Sequence, residues 1–173
     1  IAVRLAGREV EVETAPGVFS PGHVDLGTRV LLRTLADETL AGGVLDLGCG
    51  WGPIAMAMAM GSPTATVWAV DVNVRSLDLL RGNAARLGLG GVRPITPDQV
   101  PDDVRFTAIW SNPPIRVGKE ALHALLERWL PLLTDDGVAH LVVQRNLGAD
   151  SLQRWLTDVL GMPAARVASA KGF

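Results

Sequence analysis

Two short stretches of the chain hold residue types whose spacing could do chemistry. The first reads Asp46-Leu47-Gly48-Cys49-Gly50-Trp51-Gly52. Glycines at every second position let the main chain pass close to a ligand with no Cβ in the way. A helix beginning just beyond them would aim its free N–H groups at that ligand. A dinucleotide-binding turn would instead read G-x-G-x-x-G and hold a pyrophosphate. The acid Asp46 ahead of this turn suits a cationic amino-acid moiety better than a phosphate. The next carboxylate, Asp71, closes a strand, where it can accept both hydroxyls of a ribose. Val72 beside it can pack on an adenine, and Asp98 can accept from the adenine amine. The second stretch is Ser111-Asn112-Pro113-Pro114-Ile115. It sets an amide side chain and two proline-flanked carbonyls at a strand end, where they can accept hydrogen bonds from an exocyclic amine. The two stretches together imply a nucleotide-like cofactor facing a planar amino substrate.

These groups need elements to position them. Residues 1 to 14 alternate with period two around Ala6-Gly7-Arg8, which predicts a hairpin, and residues 1–18 are read as an N-terminal extension. Leu26, Val30, Leu31 and Leu35 recur at helical spacing from Asp25 onward. Val44–Leu47 is a short buried strand, and Pro53 suits the first turn of the helix after it. Ile54 to Met60 alternates like a strand, but Ala and Met are strong helix formers and no β-branched residue follows Ile54, so a helix is expected. Thr66–Val70 is a strand, and Val74 to Leu87 an amphipathic helix stopped by Gly88. Val92–Thr96 is a weak strand, Pro97–Asp103 an acidic loop and Phe106–Trp110 a strand. A helix carries Leu122, Leu125, Leu126 and Trp129, and Pro131 breaks it. Val138–Val143 is read as a strand, Leu152–Leu160 as a helix and Ala165–Ala168 as a final strand. Strands alternating with helices predict an α/β fold, a doubly wound and mostly parallel sheet. In such a sheet ligands bind beyond the carboxyl ends of the strands, where all the residues above are expected. Whether the sheet lacks its last strand is left open.

The chain has 173 residues, 48% hydrophobic and 20% charged, which fits one globular domain over 1–173 and excludes disorder. A net charge of -2 provides no global basic field, so nucleic acid would have to be met by a local patch. Arg116, Lys119 and Arg145 could form such a phosphate-binding rim. A single cysteine permits no internal disulfide and fits a reducing, cytoplasmic setting. No apolar run is long enough to cross a bilayer. His23, His123 and His140 lack metal-ligand spacing, so no metal is expected, and both His123 and His23 are read as surface residues. Cys49 is read as a packed turn residue rather than a nucleophile, because no histidine stands near it. Trp68, Trp110 and Trp129 fall on core faces, and Trp51 alone sits in the ligand-binding turn.

The residues carry a resemblance. Asp46 to Gly52 with Asp71 resembles the cofactor motifs of class I S-adenosylmethionine methyltransferases, which have a Rossmann-like fold. Asn112-Pro113-Pro114-Ile115 is similar to the N-P-P-[FYI] motif of those that methylate amino nitrogens. Val18-Phe19-Ser20, Asp25-Leu26-Gly27-Thr28 and the run Asn112 to Lys119 narrow the resemblance to the methyltransferase small-domain family, which includes 16S ribosomal RNA guanine-N2 methyltransferases. The likeness runs from Phe19 to nearly the end, and matches only the catalytic one of the two tandem domains of the larger bacterial guanine enzymes. It implies S-adenosyl-L-methionine as cofactor, held by Asp46, Gly48, Cys49, Gly50, Gly52, Asp71, Val72, Asp98 and Asn112, with Phe19 and Thr28 lining the methionine end. It implies Asn112, Pro113, Pro114 and Ile115 as the catalytic segment, Arg116 and Lys119 on the substrate, and RNA (ribosomal RNA or the small ribosomal subunit) as partner. Many relatives carry Phe or Tyr where Ile115 stands, so no aromatic stack on the base is available from that position. Two alternatives remain: methylation of a protein glutamine, whose enzymes usually carry Tyr there and an additional helical domain, and a non-catalytic binding protein with the same fold.

Overall fold

The alternating periodicities become a five-stranded parallel sheet with helices on both faces. The computed structural model describes all residues from Ile1 to Phe173. A hairpin of β1 (Ala2–Leu5) and β2 (Arg8–Glu11) comes first, turning through Ala6 and Gly7, both at positive φ. Then follow α1 (Leu26–Thr34), β3 (Gly43–Leu47), α2 (Pro53–Gly61), β4 (Thr66–Val70), α3 (Val74–Arg86) and β5 (Val92–Ile95). The remainder is β6 (Phe106–Ser111), α4 (Lys119–Trp129), β7 (Leu133–Leu141) and α5 (Ala149–Asp158). The strands lie in the order β5-β4-β3-β6-β7, every pair parallel. The winding reverses between β3 and β6. That switch point opens a crevice at the carboxyl ends of these two strands.

Side chains alternate across a strand, and the two faces have separate cores. Val44 faces a layer formed by the hairpin, α1, α2 and α3, with Leu5, Leu31, Met56, Met58 and Leu77 around it. Leu45 and Leu47 face the opposite layer with Phe106, Ile109, Leu126 and Trp129, against α4 and α5. Helix α2 settles the ambiguity at Ile54–Met60: Ile54 through Ala59 are all buried, so its sequence needs no polar face. Short β5 carries Pro94 at the sheet edge, where a missing N–H costs no ladder bond.

Four expectations need correction. Strand β7 begins at Leu133, not Val138, and ends at Leu141, not Val143. A bulge separates the pairs Phe106↔Leu133 and Ala108↔Val138, and the acidic Asp135-Asp136-Gly137 inside it reads as a loop. Gly137 is required there, because a Cβ would stand 2.8 Å from the Phe106 carbonyl oxygen. Ala165–Ala168 forms no strand and is exposed; Arg166 pairs with Asp150 of α5 and Val167 stays open to solvent, so no side chain anchors the segment to the sheet. The acidic loop contains a 3-10 turn at Pro97–Gln99, closed by reciprocal Thr96 and Gln99 contacts. His123 is not free on the surface: its ring stacks on Trp155 at 3.8 Å, joining α4 to α5.

Candidate active site

Three loops meet at the carboxyl ends of β3, β4 and β6. The glycine turn after β3 is tied to its neighbour, since the N–H groups of Gly48 and Cys49 both donate to the Val70 carbonyl, at 2.9 and 3.0 Å. Gly48, Gly50 and Gly52 have φ of +74°, +55° and +92°, a region open to glycine and strained for other residues. A Cβ on Gly48 or Gly50 would meet nothing within 4 Å, so these two residues border open space. Gly52 differs: its Cβ would overlap the Leu80 side chain at 2.2 Å. At the end of β4, Asp71 joins the turn to the next helix. Its Oδ2 accepts from Gly50 N–H and its Oδ1 from Asn73 N–H, both at 2.8 Å. Each oxygen retains a lone pair for a further donor.

Asn112 follows β6. Its Nδ2 donates to Asp25 Oδ2 at 2.9 Å and to Thr28 Oγ1 at 3.2 Å, while its Oδ1 has no protein partner. Asp25 is the N-cap of α1, and the same Oδ2 accepts from Gly27 N–H at 2.9 Å and Thr28 N–H at 3.4 Å. The Pro113 carbonyl accepts from Ile115 N–H at 2.8 Å and that of Pro114 from Val117 N–H at 3.2 Å. Each of these carbonyls keeps one lone pair free.

A strap from Gly17 to Asp25 spans these loops. Asn73 Nδ2 donates to the Gly17 carbonyl at 3.4 Å, Trp51 Nε1 to the Ser20 carbonyl at 3.2 Å, and Asn112 reaches Asp25. Ser20 itself sits at φ +50°. The strap and the three loops enclose a hollow of about 670 Å³, within the size of ordinary small-molecule sites.

The hollow is bordered by most of the residues singled out in the sequence. Gly48, Cys49, Gly50, Asp71, Val72 and Asn112 to Arg116 line it, as do Phe19 and Thr28. Phe19 and Val72 form an exposed apolar lip, 64% and 82% accessible. Asp46 does not line it. Alternation on β3 turns Asp46 into the α2 layer, where it is fully buried and its Oδ2 accepts from Ala55 N–H at 2.8 Å. It thereby caps a helix whose own N-cap, Gly52, offers no side chain. Its Oδ1 has no partner, and burial above all pushes the carboxyl up to about 8. Asp98 is exposed and outside the hollow; its contact with the Thr96 side chain lowers its pKa. Lys119 opens α4 beyond the rim. Gly52 stands behind the turn against Leu80. Burial, then the Asp46 and Asp71 carboxylates, hold the Cys49 thiol well above its usual range, which leaves it a packed thiol and no nucleophile.

Sequence reading missed Asp25 and Phe173 as site residues. Asp25 was legible as a helix start, but its partner lies 87 residues away. Phe173 lines the hollow because Arg145 N–H bonds the Gly172 carbonyl at 2.8 Å and folds the segment back. A second hollow of about 650 Å³, mostly apolar, lies along the outer edge of β7 and shares Val142 and Phe173 with the first. The buried Nδ1 of His140 beside it has no partner, and burial lowers that imidazole's pKa. No cluster of three or more metal-binding side chains occurs.

The family model described as the methyltransferase small domain matches residues 9–173. An uncharacterized Bacillus subtilis protein, YbxB, is 35% identical over 151 residues, covering 86% of this chain and 75% of its own length. The ribosomal RNA small subunit methyltransferase C of Vibrio vulnificus is 37% identical over 132 residues, covering 75% of this chain and 37% of the relative. Among solved structures, the T. thermophilus 16S rRNA N2 methyltransferase (RsmC) in complex with AdoMet and guanosine superposes with a TM-score of 0.75 at 26% identity. That match covers 85% of this chain and 43% of the other. The chain therefore spans less than half the length of both ribosomal RNA methyltransferases.

Proposed function

Because this chain belongs to the methyltransferase small-domain family, we propose that it transfers the methyl group of S-adenosylmethionine to the exocyclic amine of a base in RNA, with N2 of guanine in ribosomal RNA as the target. The observation that carries the reading is the free Oδ1 of Asn112 on the same hollow as Asp71 and the glycine turn. The hollow suits the cofactor: open glycines at 48 and 50, an acid with spare lone pairs for a ribose, and an exposed apolar Val72 for an adenine. When bound, S-adenosylmethionine supplies an electrophilic methyl carbon on a sulfonium. Asn112 Oδ1 and the free lone pair of the Pro113 carbonyl accept the two amine hydrogens. That holds the nitrogen lone pair in line and offsets the positive charge that grows on nitrogen. The proton released from the methylated nitrogen passes to water. Arg116 at the rim meets the RNA backbone, with Lys119 and Arg145 further out. A target inside a helix must first swing out of its stack. The single free Cys49 and the ribosomal RNA methyltransferase relatives support a cytoplasmic setting.

The test is labelled methyl transfer to small ribosomal subunits and their naked RNA, taken from a strain lacking the protein. N2-methylguanosine should appear with the wild type and not with Asn112→Ala, while cofactor affinity by calorimetry stays nearly the same in both. Label on another nucleoside would move the target, and label on protein alone would make a glutamine side chain the substrate. Undiminished transfer by the variant would remove Asn112 from the chemistry.

A further inference from the structure

We propose that Asp25 is a positioning residue for the reaction: its carboxylate fixes the orientation of the Asn112 amide, so that oxygen rather than nitrogen is offered to the hollow. The inference rests on the reading of Asn112 as acceptor for the substrate amine.

The two ends of an amide side chain have the same shape and opposite hydrogen-bonding character. An unguided Asn112 could present either. An ionised carboxylate only accepts, and here it meets Nδ2 at 2.9 Å, with Thr28 Oγ1 at 3.2 Å beside it. Turned over, the amide would set its oxygen against a carboxylate oxygen with no proton between them. It would also aim N–H groups at the N–H groups of the substrate. Both contacts would be repulsive.

The anchor is stiff because Asp25 is itself held. Its Oδ2 receives the Gly27 and Thr28 N–H groups at the start of α1, so the rotamer of Asp25 is set by the helix. Gly27 makes room for the contact: a Cβ there would stand 3.1 Å from Asp25 Oδ2 and 3.3 Å from Asn112 Nδ2. Thus a helix cap near the amino end of the chain determines which atom the β6 loop presents 87 residues later.

Two substitutions separate this role from capping alone. Serine caps a helix as well as aspartate does, but it is one carbon shorter and its hydroxyl is taken up by the cap. Asparagine also caps, and the two N–H groups draw its side-chain oxygen into the place of Oδ2, where it still accepts from Asn112. The turnover number is measured on unmodified small-subunit RNA with labelled cofactor, together with melting temperature and cofactor affinity by calorimetry. Asp25→Ser should lower kcat at least about tenfold, the scale of loss from a misoriented reacting group, with melting temperature and affinity near wild type. Asp25→Asn should recover most of that loss. If Asp25→Ser keeps its turnover, or both variants fall together, the proposal is overturned. Asp25→Thr replaces the serine variant should that one fail to fold.

A readout free of substrate separates this inference from the proposed function. In 15N-labelled protein, the side-chain amide protons of Asn112 should exchange slowly with water in the wild type and in Asp25→Asn, and rapidly in Asp25→Ser. Equal exchange in all three overturns the role of Asp25 whatever the transfer assay gives. Slow exchange in a wild type that methylates no RNA would refute the proposed function and leave the hold on Asn112 standing.

Discussion

At the scale of residues, two carboxylates that look alike in sequence have opposite environments. Asp71 is half-buried, with both oxygens receiving backbone N–H groups and each able to accept one more. If it binds the cofactor ribose, Asp71→Ala should weaken binding by about 1–3 kcal/mol, measured by calorimetry, with unchanged affinity placing the ribose elsewhere. Asp46 is sealed behind the sheet with one oxygen unpartnered, and its pKa is raised to about 8. In the unfolded chain the same carboxyl titrates near about 4. Between those values the fold retains a proton that the unfolded chain releases. The contribution of Asp46 to stability is therefore full below about pH 4 and declines as pH rises through the window from about 4 to 8. Asp46→Asn cannot ionise and should show a flatter melting temperature between about pH 6 and 8 than the wild type. Parallel pH profiles would mean that Asp46 is already ionised at neutral pH.

At the scale of elements, the glycine turn combines two requirements that its sequence does not distinguish. Gly48 and Gly52 both lie at positive φ, so alanine strains the backbone at either. Only at Gly52 does a Cβ also strike a neighbour, the buried Leu80 of α3. Gly52→Ala should therefore cost roughly 1–3 kcal/mol more stability than Gly48→Ala in urea titrations. Gly48→Ala, whose methyl would enter open space beside the hollow, should instead lose the larger share of cofactor affinity. Equal stabilities would show that Leu80 moves aside. Helix α2 teaches a related point, for alternating Ala and Met read equally as strand. Burial on every side, Pro53 in its first turn and the Asp46 cap decide for a helix.

At the scale of the whole molecule, stability rests on two cores divided by the sheet, because the three ion pairs, Arg81–Asp78, Arg86–Glu13 and Arg166–Asp150, are all largely exposed. Such pairs contribute at most about 1 kcal/mol each. Phe106 is wholly buried in the α4 and α5 core, so Phe106→Ala should cost about 3–5 kcal/mol, seen as a lower urea midpoint. A loss below about 1 kcal/mol would show that this core closes over the gap. The sequence by itself determined the order of elements as far as α5, the parallel sheet and the strand ends carrying Asp71, the glycine turn and Asn112, because these follow from local periodicity and from what glycine and proline permit. The tertiary structure alone decided the rest. It turned Asp46 away from the hollow, left Asp98 outside it, extended β7 through a bulge and brought Asp25 and Phe173 to the site. The direction of a side chain and its contact with a residue far along the chain depend on packing between elements, which local pattern does not encode.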